Sequence, residues 1–145
     1  MIALIQRVSE ASVEVEGTQV GSIGTGILAL IGIEHEDSEA QCSQLIEKLL
    51  NYRIFEDEDK RMNRSLLATK GELLLVSQFT LAADTKKGSR PGFSRAAPPE
   101  LAQPLFDRLV ALAREQLAVV QTGKFGADMQ VRLINDGPVT FWLQA

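Results

Sequence analysis

The sequence has very few of the residues that build disulfides, metal sites and nucleophilic centres. Among 145 residues there is one cysteine, Cys42, and one histidine, His35. A single cysteine cannot form an intramolecular disulfide, which fits a reducing compartment. A structural zinc site needs about four Cys or His ligands, and a Ser-His-Asp or Cys-His centre would have to use His35 itself. We therefore expect neither a metal nor a cofactor.

Long apolar runs and an excess of positive charge are also missing. The longest apolar run covers residues 26–33, whereas a membrane-spanning helix needs about 20 residues. The first ten residues lack the basic leader and apolar stretch of a secretory signal, so we expect a cytoplasmic protein with no membrane partner. Fifteen Lys and Arg against nineteen Asp and Glu give a net charge of −4, which excludes nucleic-acid binding by overall charge but allows a local basic patch.

The length and the order of predicted elements favour one domain, residues 1–145, with an α+β fold. Strands are predicted over residues 2–8, 11–16, 26–33, 72–81, 129–133 and 139–143. Helices are predicted to begin at Ser38, which opens a capping box, and at Pro98-Pro99. Residues 56–64 are charged and aperiodic, which indicates a loop. This order predicts a layered sheet-and-helix sandwich, β/β/α-like, with barrel-like curved sheets and two main helices.

Polar side chains follow the predicted strand that ends near residue 77. Ser77, Gln78 and Thr80 offer hydroxyls, an amide and backbone N–H groups where the strand runs into a loop. Donors that converge on one point are what an oxyanion needs. Hydroxyls at strand ends also commonly bond their own backbone, and the residues alone favour that plainer interpretation.

A second polar segment, residues 135–140, lies between the last two predicted strands. Its Asp136-Gly137-Pro138 sequence is first of all typical of a tight hairpin turn. A Gly-Pro bond is cis in only about 5–6% of folded cases, so spacing favours the turn. A cis bond would let the two flanking carbonyls point the same way, as a rigid pair of acceptors.

Residues 84–99 are rich in glycine and proline, which predicts a long irregular loop. Within it, residues 85–95 contain no acid and four basic residues: Lys86, Lys87, Arg90 and Arg95. In a chain of net charge −4 this basic island suits contact with phosphate groups. A solvated loop explains the same pattern equally well, so both interpretations stay open.

Taken together, these segments resemble the D-aminoacyl-tRNA deacylases, also called D-tyrosyl-tRNA deacylases. The resemblance covers essentially the whole chain, from MIALIQRVSEASVEV through NYRIFEDEDKRMN and LLLVSQFTLAADTKKGSRPGFS to TGKFGADMQVRLINDGPVTFWLQ. Two motifs are highly specific: SQFT at residues 77–80 and NDGPVT at residues 135–140. Neither departs from the family pattern.

The resemblance implies a homodimeric, metal-independent enzyme that hydrolyses the ester between a D-amino acid and the 3′-terminal adenosine of tRNA. The expected partners are aminoacylated tRNA and a second copy of the chain, with no DNA. In the family the Gly-Pro bond is cis and reaches into the partner's active site. Carried over, Gly137 and Pro138 present main-chain oxygens that exclude the side chain of an L-amino acid. Glycine has no side chain to exclude, so glycyl-tRNA is not strictly rejected.

By the same resemblance the ester is lined by Ser77, Gln78, Phe79 and Thr80. The backbone N–H of Phe79 is expected to face the developing oxyanion. Two routes of attack stay open. Thr80 is a candidate nucleophile, but an unassisted hydroxyl is weak and no general base is evident beside it. The ribose 2′-hydroxyl adjoins the ester and can activate water or assist attack, and we prefer this route because the chain has one histidine.

Further roles follow from the resemblance. Arg7 helps to hold the Gly-Pro loop in place, where the residue alone equally suggests a surface charge. Phe125 and Met129 cradle the terminal adenine, although both are equally typical of a core. The basic island meets phosphates near the acceptor end of the tRNA, which predicts a modest dependence of binding on salt.

Two functions from other classes remain as alternatives. A non-catalytic module that binds the acceptor end of tRNA would use the same basic loop and show no turnover. A small-molecule esterase would act on free esters without RNA. The SQFT and GPVT segments argue against both, on the strength of the resemblance.

Overall fold

The chain forms eight strands and three α-helices. In the computed structural model, which describes residues 1–145, the strands are β1 (Ile2–Val15), β2 (Thr18–Ile23), β3 (Gly26–Gly32), β4 (Phe55–Glu56), β5 (Met62–Arg64), β6 (Glu72–Ser77), β7 (Val120–Thr122) and β8 (Gln130–Gln144). The helices are α1 (Glu39–Asn51), α2 (Leu66–Thr69) and α3 (Pro99–Arg114), and a 3₁₀ helix covers Phe79–Ala82. The predicted α+β class with two main helices is confirmed.

Six of the strands form one strongly curved sheet. Its order is β2-β1-β3-β6-β7. Strands β3 and β2 pair with successive parts of one edge of the long strand β1, and β8 pairs along its other edge. The β3–β6 and β6–β7 pairs are parallel and the others are antiparallel. A Cβ atom at Gly21 of β2 would lie 2.5 Å from the carbonyl oxygen of Thr122 in β7. The sheet therefore curls until β2 and β7 almost meet, which confirms the predicted barrel-like curvature.

The core has two parts, one on each face of this sheet. The larger part packs the sheet against α1 and α3, through residues such as Ile5, Ile27, Leu49 and Leu109. The smaller part fills the inside of the curve, with Val8, Val13, Leu28, Leu74 and Val76. Because β3 contributes to both parts, it is buried on both faces, as its continuous apolar run predicts.

The hairpin turn predicted at Asp136-Gly137-Pro138 is wrong, because these residues lie within the single long strand β8. Gln6 of β1 pairs with Thr140 and Val8 pairs with Asn135, so residues 136–139 form a bulge opposite Arg7. The Asn135 side chain bridges the bulge. Its Nδ2 donates to the carbonyl oxygens of Val139 at 3.0 Å and Arg7 at 2.9 Å, and its Oδ1 accepts from the Val139 N–H at 3.1 Å. The strand thereby resumes its pairing with β1 instead of turning back.

Other boundaries also differ from the predictions. The predicted strands 2–8 and 11–16 are the single strand β1, because β8 pairs with it almost continuously. The predicted loop 56–64 contains the small β4–β5 hairpin. The strand predicted over 72–81 ends at Ser77, where the chain enters the 3₁₀ helix. Helix α2 and strand β7 are too short to leave a periodic pattern in the sequence.

Candidate functional site

A cavity of about 530 Å³ opens beside the end of β6. Part of its lining is formed by Ser77, Gln78 and Phe79, and another part by Phe125 and Met129 from the segment before β8. Five of the predicted site residues, which are distant in the sequence, therefore line the same cavity. Most of the other lining residues are apolar, and Asp128 adds one exposed carboxylate, so the cavity combines a largely apolar lining with polar groups.

The polar part of the lining at Ser77 and Gln78 follows from the way β6 ends. The backbone N–H of Gln78 donates to the carbonyl oxygen of Ile31 at 2.7 Å, which extends the pairing with β3 by one residue. The N–H of Leu81 then bonds the carbonyl oxygen of Gln78 at 3.2 Å, and the chain turns into the 3₁₀ helix. Ser77 and Gln78 are half-buried at the cavity, whereas the Phe79 side chain is 58% exposed at its rim.

Thr80 has no basic group beside it. Its hydroxyl accepts a hydrogen bond from the Nε2 of Gln78, an amide that cannot take up a proton. The side chain of His35 is exposed and makes no hydrogen bond to Thr80. Thr80 itself is exposed and does not line the cavity. Of the four SQFT residues, the structure brings the first three together at the cavity and leaves Thr80 outside.

Phe125 and Met129 are anchored in the core. The Phe125 ring packs against Phe106 of α3, with ring centroids 6.1 Å apart. Met129 packs against the inner core of the sheet, and its sulfur lies so close to Gly123 that a Cβ there would be 2.6 Å away. Both residues are half-buried and also line the cavity. Each therefore offers the cavity a surface that is fixed from behind.

Gly137 and Pro138 lie outside this cavity, on the exposed bulge of β8, and the peptide bond between them is cis. Arg7 is 7% exposed and lies under the bulge, so a surface charge, the alternative that the residue alone suggested, is wrong. Its Nε donates to the carbonyl oxygen of Asp136 at 2.8 Å, and its Nη1 donates to that of Ile54 at 2.7 Å. The Asp136 carboxylate is 3.3 Å from Nε. The guanidinium thus ties the bulge to the chain before β4.

The basic island lies on a loop that is closed by backbone pairing. Asp84 and Gly92 exchange hydrogen bonds of 2.8 and 3.2 Å, so residues 85–91 project from a fixed base. Lys86, Lys87 and Arg90 are exposed and form no ion pair, whereas Arg95 pairs with the Glu34 carboxylate. Three of the four predicted cations remain available to a ligand, and none of the four lines the cavity.

The family model for D-Tyr-tRNA(Tyr) deacylase matches residues 4–144, which is almost the entire chain. The chain belongs to this family. Among similar curated proteins, the D-aminoacyl-tRNA deacylase of Alkalilimnicola ehrlichii is 60% identical over 145 residues, covering 100% of this chain and 97% of the relative. That of Pseudomonas aeruginosa is 59% identical over 145 residues, with 100% of both chains covered. The predicted family resemblance is confirmed.

Solved structures agree with this fold. One described as c-Myc DNA Unwinding Element Binding Protein is 42% identical and superposes with a TM-score of 0.96, covering 100% of this chain and 99% of its own. A probable eukaryotic D-amino acid tRNA deacylase is 18% identical, with a TM-score of 0.86 and coverage of 99% and 98%. At that identity the second likeness concerns the fold alone.

One exposed aromatic residue near the cavity was not predicted from the sequence. Phe93, in the loop of the basic island, is 41% exposed and packs against Phe79 with ring centroids 5.1 Å apart. The signal in the sequence was a phenylalanine inside a stretch of glycine, proline and basic residues.

No group of three or more His, Cys, Asp or Glu side chains is arranged to hold a metal ion. None of the helices has the length and apolar character that a membrane crossing requires.

The single thiol of this family member is protected rather than reactive. Burial raises the pKa of Cys42 to about 11, and the carboxylates of Asp37 and Glu39 act in the same direction. At pH 8 only about one such thiol in a thousand is ionised. We expect iodoacetamide at pH 8 to leave Cys42 unmodified in the native protein and to alkylate it in denaturant, as measured by intact mass. Rapid alkylation of the folded chain would contradict this burial.

The raised pKa also predicts how stability changes with pH. Because the folded state holds the thiol proton more tightly, the contribution of Cys42 is fully present below pH 9 and is lost as the pH rises towards 11. A Cys42→Ala variant should therefore show a weaker loss of stability between these two pH values than the parent protein. Parallel denaturant titrations at both pH values measure the difference.

Proposed function

We propose that this chain, acting as one domain over residues 1–145, hydrolyses the ester between a D-amino acid and the 3′-terminal adenosine of tRNA. Free tRNA and free D-amino acid are the products. One observation carries this function within a family named for it: the cavity joins Ser77, Gln78 and Phe79 to the surfaces of Phe125 and Met129. The first group suits an ester and the second suits an adenine base.

Hydrolysis requires only a modest rate enhancement from the protein, because an aminoacyl ester is already activated. The ester carbonyl lies against Ser77, Gln78 and Phe79, where the backbone N–H of Phe79 stabilises the developing oxyanion. The 2′-hydroxyl of the terminal ribose activates water or assists attack. Ser77 and Gln78 line the cavity and position the substrate. No metal or cofactor takes part in these steps.

Replacement of Thr80 by alanine separates the two routes of attack. Since the hydroxyl has only an amide partner, we expect Thr80→Ala to retain kcat within about tenfold of the parent value. Single-turnover hydrolysis of D-tyrosyl-tRNA measures the rate, and a substrate ending in 2′-deoxyadenosine should lose far more. Complete loss in Thr80→Ala with unchanged tRNA binding would make Thr80 the nucleophile and overturn the preference for the 2′-hydroxyl.

Chiral selection in this function belongs to Gly137 and Pro138 of the partner subunit, so the active species is a homodimer. Two observations support it. Gly137 and Pro138 are exposed and lie outside the cavity of their own chain. Strand β8 pairs only with β1 and carries the exposed side chains of Ile134 and Trp142, so it offers an open edge with apolar groups. Sedimentation equilibrium tests the assembly, and a fully active monomer would contradict it.

The wall formed by Gly137 and Pro138 consists of backbone, so it discriminates by the hand of the α-carbon and tolerates many D side chains. An L side chain would meet the wall and a D side chain would point away. The glycine of glycyl-tRNA has no side chain for the wall to exclude, so glycyl-tRNA is a second substrate.

Lys86, Lys87 and Arg90 contact phosphates of the acceptor end, and with so few cations the salt dependence of binding is modest.

The experiment that tests this function follows ester loss from matched D- and L-tyrosyl-tRNA. We expect rapid loss of the D-ester with the L-ester spared, and no change when EDTA is added. Persistence of both esters with intact tRNA binding would instead identify a non-catalytic module that binds the acceptor end. Loss of both esters would show that Gly137 and Pro138 do not discriminate between the D and L configurations of the amino acid. Equal turnover of a free D-tyrosyl ester would indicate a small-molecule esterase.

A further inference from the structure

Two large aromatic side chains form an exposed pair at the mouth of the cavity. Phe79 is 58% exposed and Phe93 is 41% exposed, and their rings are tilted by 59° at a centroid distance of 5.1 Å. Phe79 also lines the cavity, whereas Phe93 does not. The pair therefore extends an apolar surface from the cavity rim onto the neighbouring loop.

Phe93 is held in place on both sides. Gly92, before it, exchanges two backbone hydrogen bonds with Asp84. After it, the carbonyl oxygen of Phe93 accepts from the N–H of Ala96 at 3.1 Å, and Ala97 bonds the carbonyl oxygen of Ile33 at 2.9 Å. An exposed ring on a backbone fixed in this way loses little conformational freedom when a ligand stacks on it.

The charge beside the pair favours an anionic partner. Lys86, Lys87 and Arg90 lie on the same loop, between the two residues whose pairing closes it, and none of them has an ion-pair partner. Exposed aromatic rings next to unpaired cations are the combination by which proteins bind single-stranded nucleic acid, since bases stack on the rings and phosphates meet the cations. The protein as a whole has a net charge of −4, so this surface differs from its surroundings.

We propose that the Phe93 ring, held by its contact with Phe79, stacks the nucleobase that precedes the terminal adenosine of the bound RNA. This subsite rests on the proposed function, which places the terminal adenosine against Phe125 and Met129. Phe79 belongs to both the cavity and the exposed pair. An RNA strand that leaves the cavity past Phe79 therefore meets Phe93 with its next base and the cations with its phosphates.

Binding of a short RNA hairpin with an uncharged CCA end tests the subsite without catalysis. Fluorescence anisotropy compares Kd for the parent protein and Phe93→Ala, each with the intact hairpin and with one that is abasic at the penultimate nucleotide. We expect either change alone to raise Kd about tenfold, the usual effect of one lost base–aromatic stack. Both changes together should raise it no further, because they remove the same contact.

Two further variants separate stacking from folding and from general apolar contact. Phe93→Tyr keeps an aromatic face and should bind the intact hairpin like the parent, whereas Phe93→Leu keeps apolar area without a ring and should bind like Phe93→Ala. Met62→Ala removes another exposed apolar side chain, 50% exposed and located in β5, and serves as the matched control. Circular dichroism verifies that each variant is folded.

The outcomes distinguish this subsite from the function on which it rests. Independent, additive losses from Phe93→Ala and the abasic nucleotide would overturn the subsite while leaving hydrolysis untouched. Equal affinity of Phe93→Ala and the parent would do the same, and would leave the aromatic pair as a surface for another kind of partner. Tight, Phe93-dependent binding without hydrolysis of D-tyrosyl-tRNA would support the subsite and reject the catalytic proposal. No binding of the hairpin by the parent protein would overturn the subsite, and the hydrolysis of D-tyrosyl-tRNA would decide the catalytic proposal separately.

Discussion

Replacement of Gly137 by alanine is expected to lower kcat/KM for D-tyrosyl-tRNA about a hundredfold, because a shift of about 1 Å in a substrate-positioning group costs that much. A Cβ atom at Gly137 would lie 2.0 Å from the backbone nitrogen of Val139 and 3.1 Å from its Cα. Val139 is buried and clamped by Asn135, so it cannot retreat. The exposed residues 136–138 must move instead, and they include Gly137 and Pro138, which face the substrate in the proposed function.

Gly24→Ala is the matched control for this experiment. Gly24 lies between β2 and β3, and a Cβ there would meet only the Glu72 carboxylate at 3.8 Å, an ordinary contact. Single-turnover rates with the D- and L-esters, together with a thermal melt, are measured for both variants. A folded Gly137→Ala protein with parental rate and parental preference for the D-ester would show that the bulge of β8 has no part in substrate selection.

Local signals in the sequence were sufficient where the contacts are local. The capping box at Ser38 is formed as predicted: the Ser38 hydroxyl accepts from the Ala40 N–H, and the Gln41 side chain accepts from the Ser38 N–H at 2.9 Å. The apolar run of β3 similarly predicted a strand buried on both faces. In each case the residues that determine the structure lie within a few positions of one another, so their pattern is visible without knowledge of the fold.

The bulge of β8 shows why other features were not predictable. Asp136-Gly137-Pro138 carries every local mark of a turn, but the strand continues because β1 is long enough to pair with both of its halves. Asn135 bridges the bulge locally, but the contact that ties the bulge to the rest of the fold comes from Arg7, which is 129 residues away from Asp136 in the chain. Local propensity favours the turn, and tertiary pairing overrides it.

The candidate site was predicted only in part for the same reason. The polar residues at the end of β6 suggested possible oxyanion donors but by themselves favoured a plain strand end. The family resemblance supplied their ester-lining role, together with Phe125 and Met129. Their meeting in one cavity depends on the curvature of the whole sheet, which no single segment encodes. Phe93 was missed because an aromatic residue in a glycine- and proline-rich loop acquires meaning only once Phe79 is found beside it.

The second large effect is expected at Arg7, whose guanidinium joins two separate parts of the chain. Arg7→Ala leaves the carbonyl oxygens of Asp136 and Ile54 without their donor, and we expect the free energy of unfolding to fall by about 3 kcal/mol. The melting temperature should fall by about 6–12 °C for a domain of this size. Thermal and denaturant unfolding, followed by circular dichroism, measure both quantities.

Arg7→Lys separates the positioning role of this residue from its contribution to stability. A lysine keeps the charge, but one ammonium group cannot reproduce two donors held in a planar fork that reach two carbonyl oxygens in different directions. We therefore expect a folded protein in which kcat/KM for D-tyrosyl-tRNA falls more than about tenfold, since the bulge is no longer held from below. Asp136→Asn is the matched control: it removes only the half-exposed carboxylate and keeps the carbonyl acceptor, so its effect should stay below about 1 kcal/mol. If Arg7→Lys lost stability but kept the parental rate and the parental preference for the D-ester, Arg7 would stabilise the fold without positioning the bulge.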